Sequence, residues 1–115
     1  MRSNRQRLFD ILEAVERIEK YANQGREAFE RDELIQNWIV HHLQIIGEAC
    51  RVLSANFQTQ YPDIPWTEII GMRNILVHDY FGIDLKAVWA VVDPKQSRLS
   101  DLKLSVSSIL NELEK

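Results

Sequence analysis

The sequence predicts an all-α fold, an antiparallel bundle of about five helices. Three observations lead there. Apolar residues recur at helical spacing in successive segments of the chain. Strand-type alternation is weak throughout. The helical runs are separated by Asn23-Gln24-Gly25, by Pro62 and Pro65, by Gly82 and by Pro94, all residue types that break helices.

Leu8, Ile11, Leu12, Val15 and Ile18 define the first helix, over residues 5–21. Gly25 can then take a helix-ending conformation at little steric cost. Asp32 is placed to cap a second helix over residues 33–55. Its apolar stripe is Ile35, Trp38, Ile39, His42, Ile46, Ala49, Cys50 and Leu53, and its opposite face carries Asn37, Gln44, Glu48 and Arg51. Gly47 weakens this helix locally, so a close helix–helix approach is expected there. Residues 56–63 read as a connection. Pro65 is tolerated in a first turn, where its missing amide hydrogen is not needed. Trp66, Ile69, Ile70, Met72 and Leu76 carry a third helix to His78 or Asp79. Gly82 marks a turn, Asp84 caps a short helix over residues 85–92, and Pro94 interrupts. Leu99, Leu102, Val106, Ile109, Leu110 and Leu113 form the last helix.

Residues 1–115 read as one domain, with no internal repeat or low-complexity segment. A domain of this size buries a limited core, and a partner surface would help it. Trp38, Trp66 and Trp89 offer large apolar area for a core or a subunit contact. The formal net charge of -3 lacks the positive excess of a general nucleic-acid binder. Any RNA contact must therefore be local. Cys50 is the only cysteine, which excludes an intrachain disulfide and a cysteine-rich zinc site and fits a reducing, cytoplasmic interior. The opening MRSNRQRLFDIL lacks the apolar run of a signal peptide. No segment approaches the ~20 apolar residues that span a bilayer, so no membrane partner is expected.

Concrete chemistry concentrates in Arg73-Asn74-Ile75-Leu76-Val77-His78-Asp79-Tyr80. The planar, permanently charged fork of Arg73 suits two phosphate oxygens, or it could simply pair with Glu68 or a neighbouring acid. His78 titrates near neutrality and can take a proton from a ribose 2'-hydroxyl, or it can simply cap a helix end. The two together suffice for RNA cleavage without a metal. One chain supplies one such histidine, and a two-fold dimer would supply the second. Five residues turn about 140° on an ideal helix, so Arg73 and His78 share a direction only if the helix ends or bends between them. Asn74, four residues before His78, could orient the imidazole or bond locally. Asp79 could orient the other subunit's histidine or act as a cap. Tyr80 could stack a base, bond phosphate, carry a modification, or pack. Glu48 could line the cleft and tune a histidine, or pair with Arg51. His41 and His42 are adjacent on a helix and point apart, and His42 sits in the apolar stripe as a core histidine. No metal-ligand motif or Gly-rich phosphate loop occurs, so no metal or cofactor is implied.

The ordered set Ile46-Gly47-Glu48-Ala49, Pro65-Trp66 with Ile69, Gly71-Met72-Arg73-Asn74, Val77-His78-Asp79-Tyr80-Phe81 and Asp84 resembles the HEPN superfamily (higher eukaryotes and prokaryotes nucleotide-binding domains). More narrowly it resembles the HepT-like toxin family, over nearly the whole chain. The superfamily pattern is an arginine, a polar residue, three to five variable residues, then histidine, which Arg73, Asn74 and His78 match. The resemblance implies a helical homodimer with Arg73 and His78 of both subunits at a shared cleft. It implies a metal-independent endoribonuclease, the toxin of a type VII toxin–antitoxin system, acting on RNA. It also implies a minimal nucleotidyltransferase antitoxin that attaches AMP to the tyrosine of the motif, here Tyr80. Two other functions fit the same residues: a non-catalytic nucleotide-binding or scaffold module for the nucleotidyltransferase, and a purely structural dimer.

Overall fold

The computed structural model describes the backbone of residues 2–78 and 82–114, and the side chains of residues 2–72 and 82–114. The elements run α1 (Asn4–Ala22), α2 (Arg26–Arg31), α3 (Glu33–Val52), α4 (Ala55–Gln60), α5 (Trp66–Leu76), β1 (Val77–His78), β2 (Gly82–Ile83), α6 (Leu85–Val92) and α7 (Arg98–Leu113), with a 3-10 turn at Pro94–Gln96.

The first helix starts at a capping box. Ser3 Oγ accepts the Gln6 amide at 3.1 Å, and Gln6 Oε1 accepts the Ser3 amide at 2.7 Å. Of its expected stripe, Leu8, Ile11, Val15 and Ile18 are buried in full and Leu12 is half-buried against the core. Asp32 caps α3 as expected, its carboxylate accepting the Leu34 amide at 2.9 Å. α1 and α3 run antiparallel. The Trp38 indole donates to the Arg17 carbonyl at 2.9 Å, while Arg7 and Asp10 lie beside Gln44 and Glu48. α7 is antiparallel to α1 as well, since Arg5 meets Glu114 at 2.7 Å and Lys103 meets Glu19 at 3.1 Å. One apolar cluster joins these helices, with Leu43, Ile46, Phe29, Trp89 and Val106 inside it.

The described residues hold seven α-helices rather than about five. α2 has one buried residue, Phe29, which packs its ring 5.4 Å from Trp89. A six-residue helix anchored at a single point leaves no periodicity to read. α4 falls in the expected connection and is likewise short, capped by Ser54 Oγ on the Phe57 amide at 3.2 Å. That cap also explains why α3 stops at Val52, short of residue 55. Leu53 turns extended, and the Gln58 side-chain Nε2 closes the helix end by donating to the Cys50 and Leu53 carbonyls at 2.9 and 3.2 Å.

α5 is held at its start by Trp66, buried, whose indole N–H is shared between the Gln58 and Tyr61 carbonyls at 3.1 and 3.0 Å. Midway along, the helix crosses α3 at Gly47, where a Cβ would sit 3.3 Å from the Ile69 carbonyl oxygen. The close approach anticipated at Gly47 is therefore real, and it is made against backbone. The helix ends at Leu76 instead of reaching His78 or Asp79. Val77 and His78 leave it to pair antiparallel with Ile83 and Gly82, a short ladder that weak alternation did not reveal. Val77 and Ile83, register partners, are β-branched and suit extended backbone. Gly82 takes φ +74°, a conformation L side chains rarely adopt. Asp84 then caps α6, accepting the Ala87 amide at 3.0 Å as expected.

Two helical glycines should respond in opposite ways. At Gly47 a branched side chain must displace backbone, so Gly47→Val should lower unfolding free energy by about 2 kcal/mol. Nothing lies within 4 Å of a Cβ at Gly71, so Gly71→Ala should raise it by about 0.5–1 kcal/mol through helix propensity alone. Urea titration of both variants beside the parent chain checks the contrast.

Candidate active site

The end of α5 is where the Arg73–His78 pair falls. Arg73 and Asn74 lie in the last stretch of the helix, after the Gly47–Ile69 crossing, and His78 lies on β1 beyond the helix end. The helix thus terminates between the arginine and the histidine. This meets the condition under which a five-residue spacing need not hold the two apart by a helical rotation. By the same termination Asn74 and His78, four residues apart, do not lie on one helical face. Asp79 and Tyr80 lie outside the described residues.

The segment is bracketed by fixed points. Upstream stand the Trp66 anchor and the α3 crossing. Downstream, His78 is in register with Gly82, and two residues later the Asp84 cap opens α6.

Glu48 follows Gly47 directly, so it stands beside the α3–α5 crossing. Its carboxylate receives both Arg51 Nη2 and Nε, at 2.6 and 3.0 Å, and more than half of each side chain is exposed. It also lines a shallow depression of about 260 Å³ between α1 and α3, with Arg7, Asp10, His41 and Gln44. The sequence places Gln44 and Glu48 on an outer face and offers Glu48 as lining the cleft and tuning a histidine, or pairing with Arg51, and the structure shows the Arg51 pair. The three- and four-residue spacing of His41, Gln44 and Glu48 was the available signal, but the contribution of α1 was not legible without the antiparallel pairing.

His42 is a core histidine, as expected. It is 4% exposed, and its Nδ1 lies 2.7 Å from the Trp38 carbonyl oxygen. A carbonyl can only accept, so the neutral ring carries its hydrogen on Nδ1. Cys50 is also buried, and burial pushes its thiol up to about 12, which leaves it inert as a nucleophile. Among the described residues no three His, Cys, Asp or Glu side chains gather where they could hold a metal ion. Nor is any described helix long and apolar enough to cross a membrane.

The family model described as "Ribonuclease HepT-like" matches residues 11–109. The chain is similar to a "Putative RNase" of Methanocaldococcus jannaschii, 37% identical over 86 residues that cover 74% of this chain and 79% of that one. It is similar to the "Probable ribonuclease HepT" of Thermococcus cleftensis, 39% identical over 92 residues covering 79% and 84%. It is also similar to a "Gamma-glutamylcyclotransferase and putative RNase" of Methanocaldococcus jannaschii, 38% identical over 106 residues, which span 91% of this chain but 46% of that relative. No solved structure gives a significant match. The chain belongs to the HepT-like ribonuclease family.

Burial makes His42 a source of pH dependence. Desolvation holds its pKa below the ordinary 6.5, outweighing the Trp38 carbonyl, which favours the charged ring. The unfolded chain therefore binds this proton more tightly than the folded one. The stabilising contribution is complete above the unfolded value of about 6.5 and is lost as pH falls from there toward the folded value. His42→Phe should flatten the fall in unfolding free energy measured between about pH 7 and pH 5.

Proposed function

We propose that this chain, as one domain over residues 1–115, is the toxin component of a type VII toxin–antitoxin system, a metal-independent endoribonuclease acting in the cytoplasm. The observation that best supports the reading is the termination of α5 at Leu76, between the two residues of the family motif, in a chain of the HepT-like ribonuclease family.

In this mechanism the protein works as a homodimer whose cleft lies at the subunit interface. The imidazole of His78 takes the proton of a ribose 2'-hydroxyl. The 2'-oxygen attacks the adjacent phosphorus, and the bond from phosphorus to the 5'-oxygen breaks. His78 of the partner subunit gives that leaving oxygen its proton. The products are a 2',3'-cyclic phosphate and a free 5'-hydroxyl. Arg73 offsets the extra negative charge on the five-coordinate phosphorus. Asn74 orients the imidazole, Asp79 orients the facing subunit's histidine, Tyr80 contacts base or phosphate, and Glu48 tunes the site from α3. Single-stranded or loop RNA is the substrate, because an unstacked strand can reach the in-line geometry that a duplex resists.

Control comes from a minimal nucleotidyltransferase antitoxin. The Tyr80 hydroxyl oxygen attacks the α-phosphorus of ATP, pyrophosphate leaves, and AMP remains on the tyrosine. The added phosphate brings negative charge beside Arg73 and His78 and obstructs RNA.

Purified protein in EDTA should cleave total RNA or a tRNA pool to products ending in 2',3'-cyclic phosphate. His78→Ala should slow this by ~10²–10⁴-fold, and Arg73→Ala by ~10²-fold, with circular dichroism unchanged. Cleavage that survives both substitutions would come from a contaminant. Nucleotide or partner binding without any scission would favour the non-catalytic module. Incubation with ATP and a minimal nucleotidyltransferase should add the mass of one AMP to the parent chain and none to Tyr80→Phe.

A further inference from the structure

Between α5, α6 and α7 the surface opens into a groove of about 820 Å³, floored by Leu43 and Ile46 of α3. Its walls are mainly apolar, with Ile69 and Met72 on one side and Val91 and Leu102 on the other. The groove exists because Gly71, Ala87 and Ala90 bring no bulk into it, and a Cβ on Gly71 would meet nothing within 4 Å. The groove is apolar inside and polar at its rim, the form in which an amphipathic helix docks.

The rim decides what binds. Asp63, Glu68 and Asp101 border the groove with Arg98, and all four are exposed. Among the described residues none of them forms a salt bridge, although Asp101 accepts the Ser97 hydroxyl at 3.4 Å. Three carboxylates against one guanidinium give the rim a negative balance. RNA is repelled from it. A second copy of the chain, docked face to face, would bring six carboxylates against two guanidiniums.

We infer that this groove receives an amphipathic helix of a partner protein, with an apolar face that fills the space between α5, α6 and α7 and lysines or arginines at its flanks that meet Asp63, Glu68 and Asp101. The apolar walls take side chains at helical spacing, and Met72 adapts its shape to them. The inference stands apart from the nuclease reading, since it uses no residue of the 73–80 segment.

The test uses the full chain and a fluorescent synthetic peptide of ~18 residues, with leucine along one helical stripe and lysine elsewhere. A second peptide carries glutamate in place of lysine. Anisotropy should report binding of the lysine peptide and not of the glutamate peptide. E68K/D101K should weaken the lysine peptide about tenfold or more and let the glutamate peptide bind. Ala90 is exposed, so Ala90→Trp should fill the groove and abolish binding with the thermal midpoint unchanged. Failure of the lysine peptide to bind, equal binding of both peptides, or binding indifferent to Ala90→Trp would each overturn the inference. Loss of a dimer on Ala90→Trp, read by light scattering, would assign the groove to a second copy instead. Cleavage assays on the same variants keep this outcome separate from that of the nuclease reading.

Discussion

The contact between Gly47 and the Ile69 carbonyl is the constraint on which the arrangement around the site depends. A helix pair packed through ordinary side chains sits 8–10 Å apart, axis to axis. Removing the side chain at Gly47 brings α5 onto α3 until backbone meets backbone. That crossing fixes where α5 lies, and therefore where it ends. Everything that follows in sequence, the helix terminus, the two-residue strands and the Asp84 cap, is positioned from it. The glycine lowers the intrinsic stability of α3 by about 1 kcal/mol relative to alanine, and the packing it permits is what offsets that loss.

Most of the long helices were legible because each has a wide apolar stripe. α1, α3 and α6 start within one residue of where periodicity and caps put them, α7 contains its whole expected stripe, and Asp32 and Asp84 cap as their chemistry suggests. What escaped the sequence was short or tertiary in origin. α2 and α4 each bury one aromatic residue, Phe29 and Phe57, and a single anchor has no period. The early end of α5 is set by pairing with Gly82 and Ile83, residues that local pattern could not connect to Val77 and His78.

The candidate site stands out in the sequence in a different way. Arg73, Asn74 and His78 stand out by residue type and order, whereas the five-residue helical spacing of Arg73 and His78 argues against their cooperation. The ladder resolves that tension, because a histidine on a strand is released from the rotation of the preceding helix. Glu48 shows how a residue acquires context only from its neighbours. In sequence it is an outer-face charge with several possible roles, and in the fold it sits next to the crossing and beside a depression shared with α1.

Cys50 carries one more consequence. It is the only thiol in the chain, it is fully shielded within α3, and its carbonyl accepts from Gln58 at the helix end. A thiol reagent can reach it only when the α3–α4 junction or the whole core opens. Labelling kinetics at this one atom therefore clock the opening of the scaffold directly. If reaction is far faster than global unfolding, the junction breathes by itself, and the helix that carries Glu48 is then a dynamic element rather than a fixed wall.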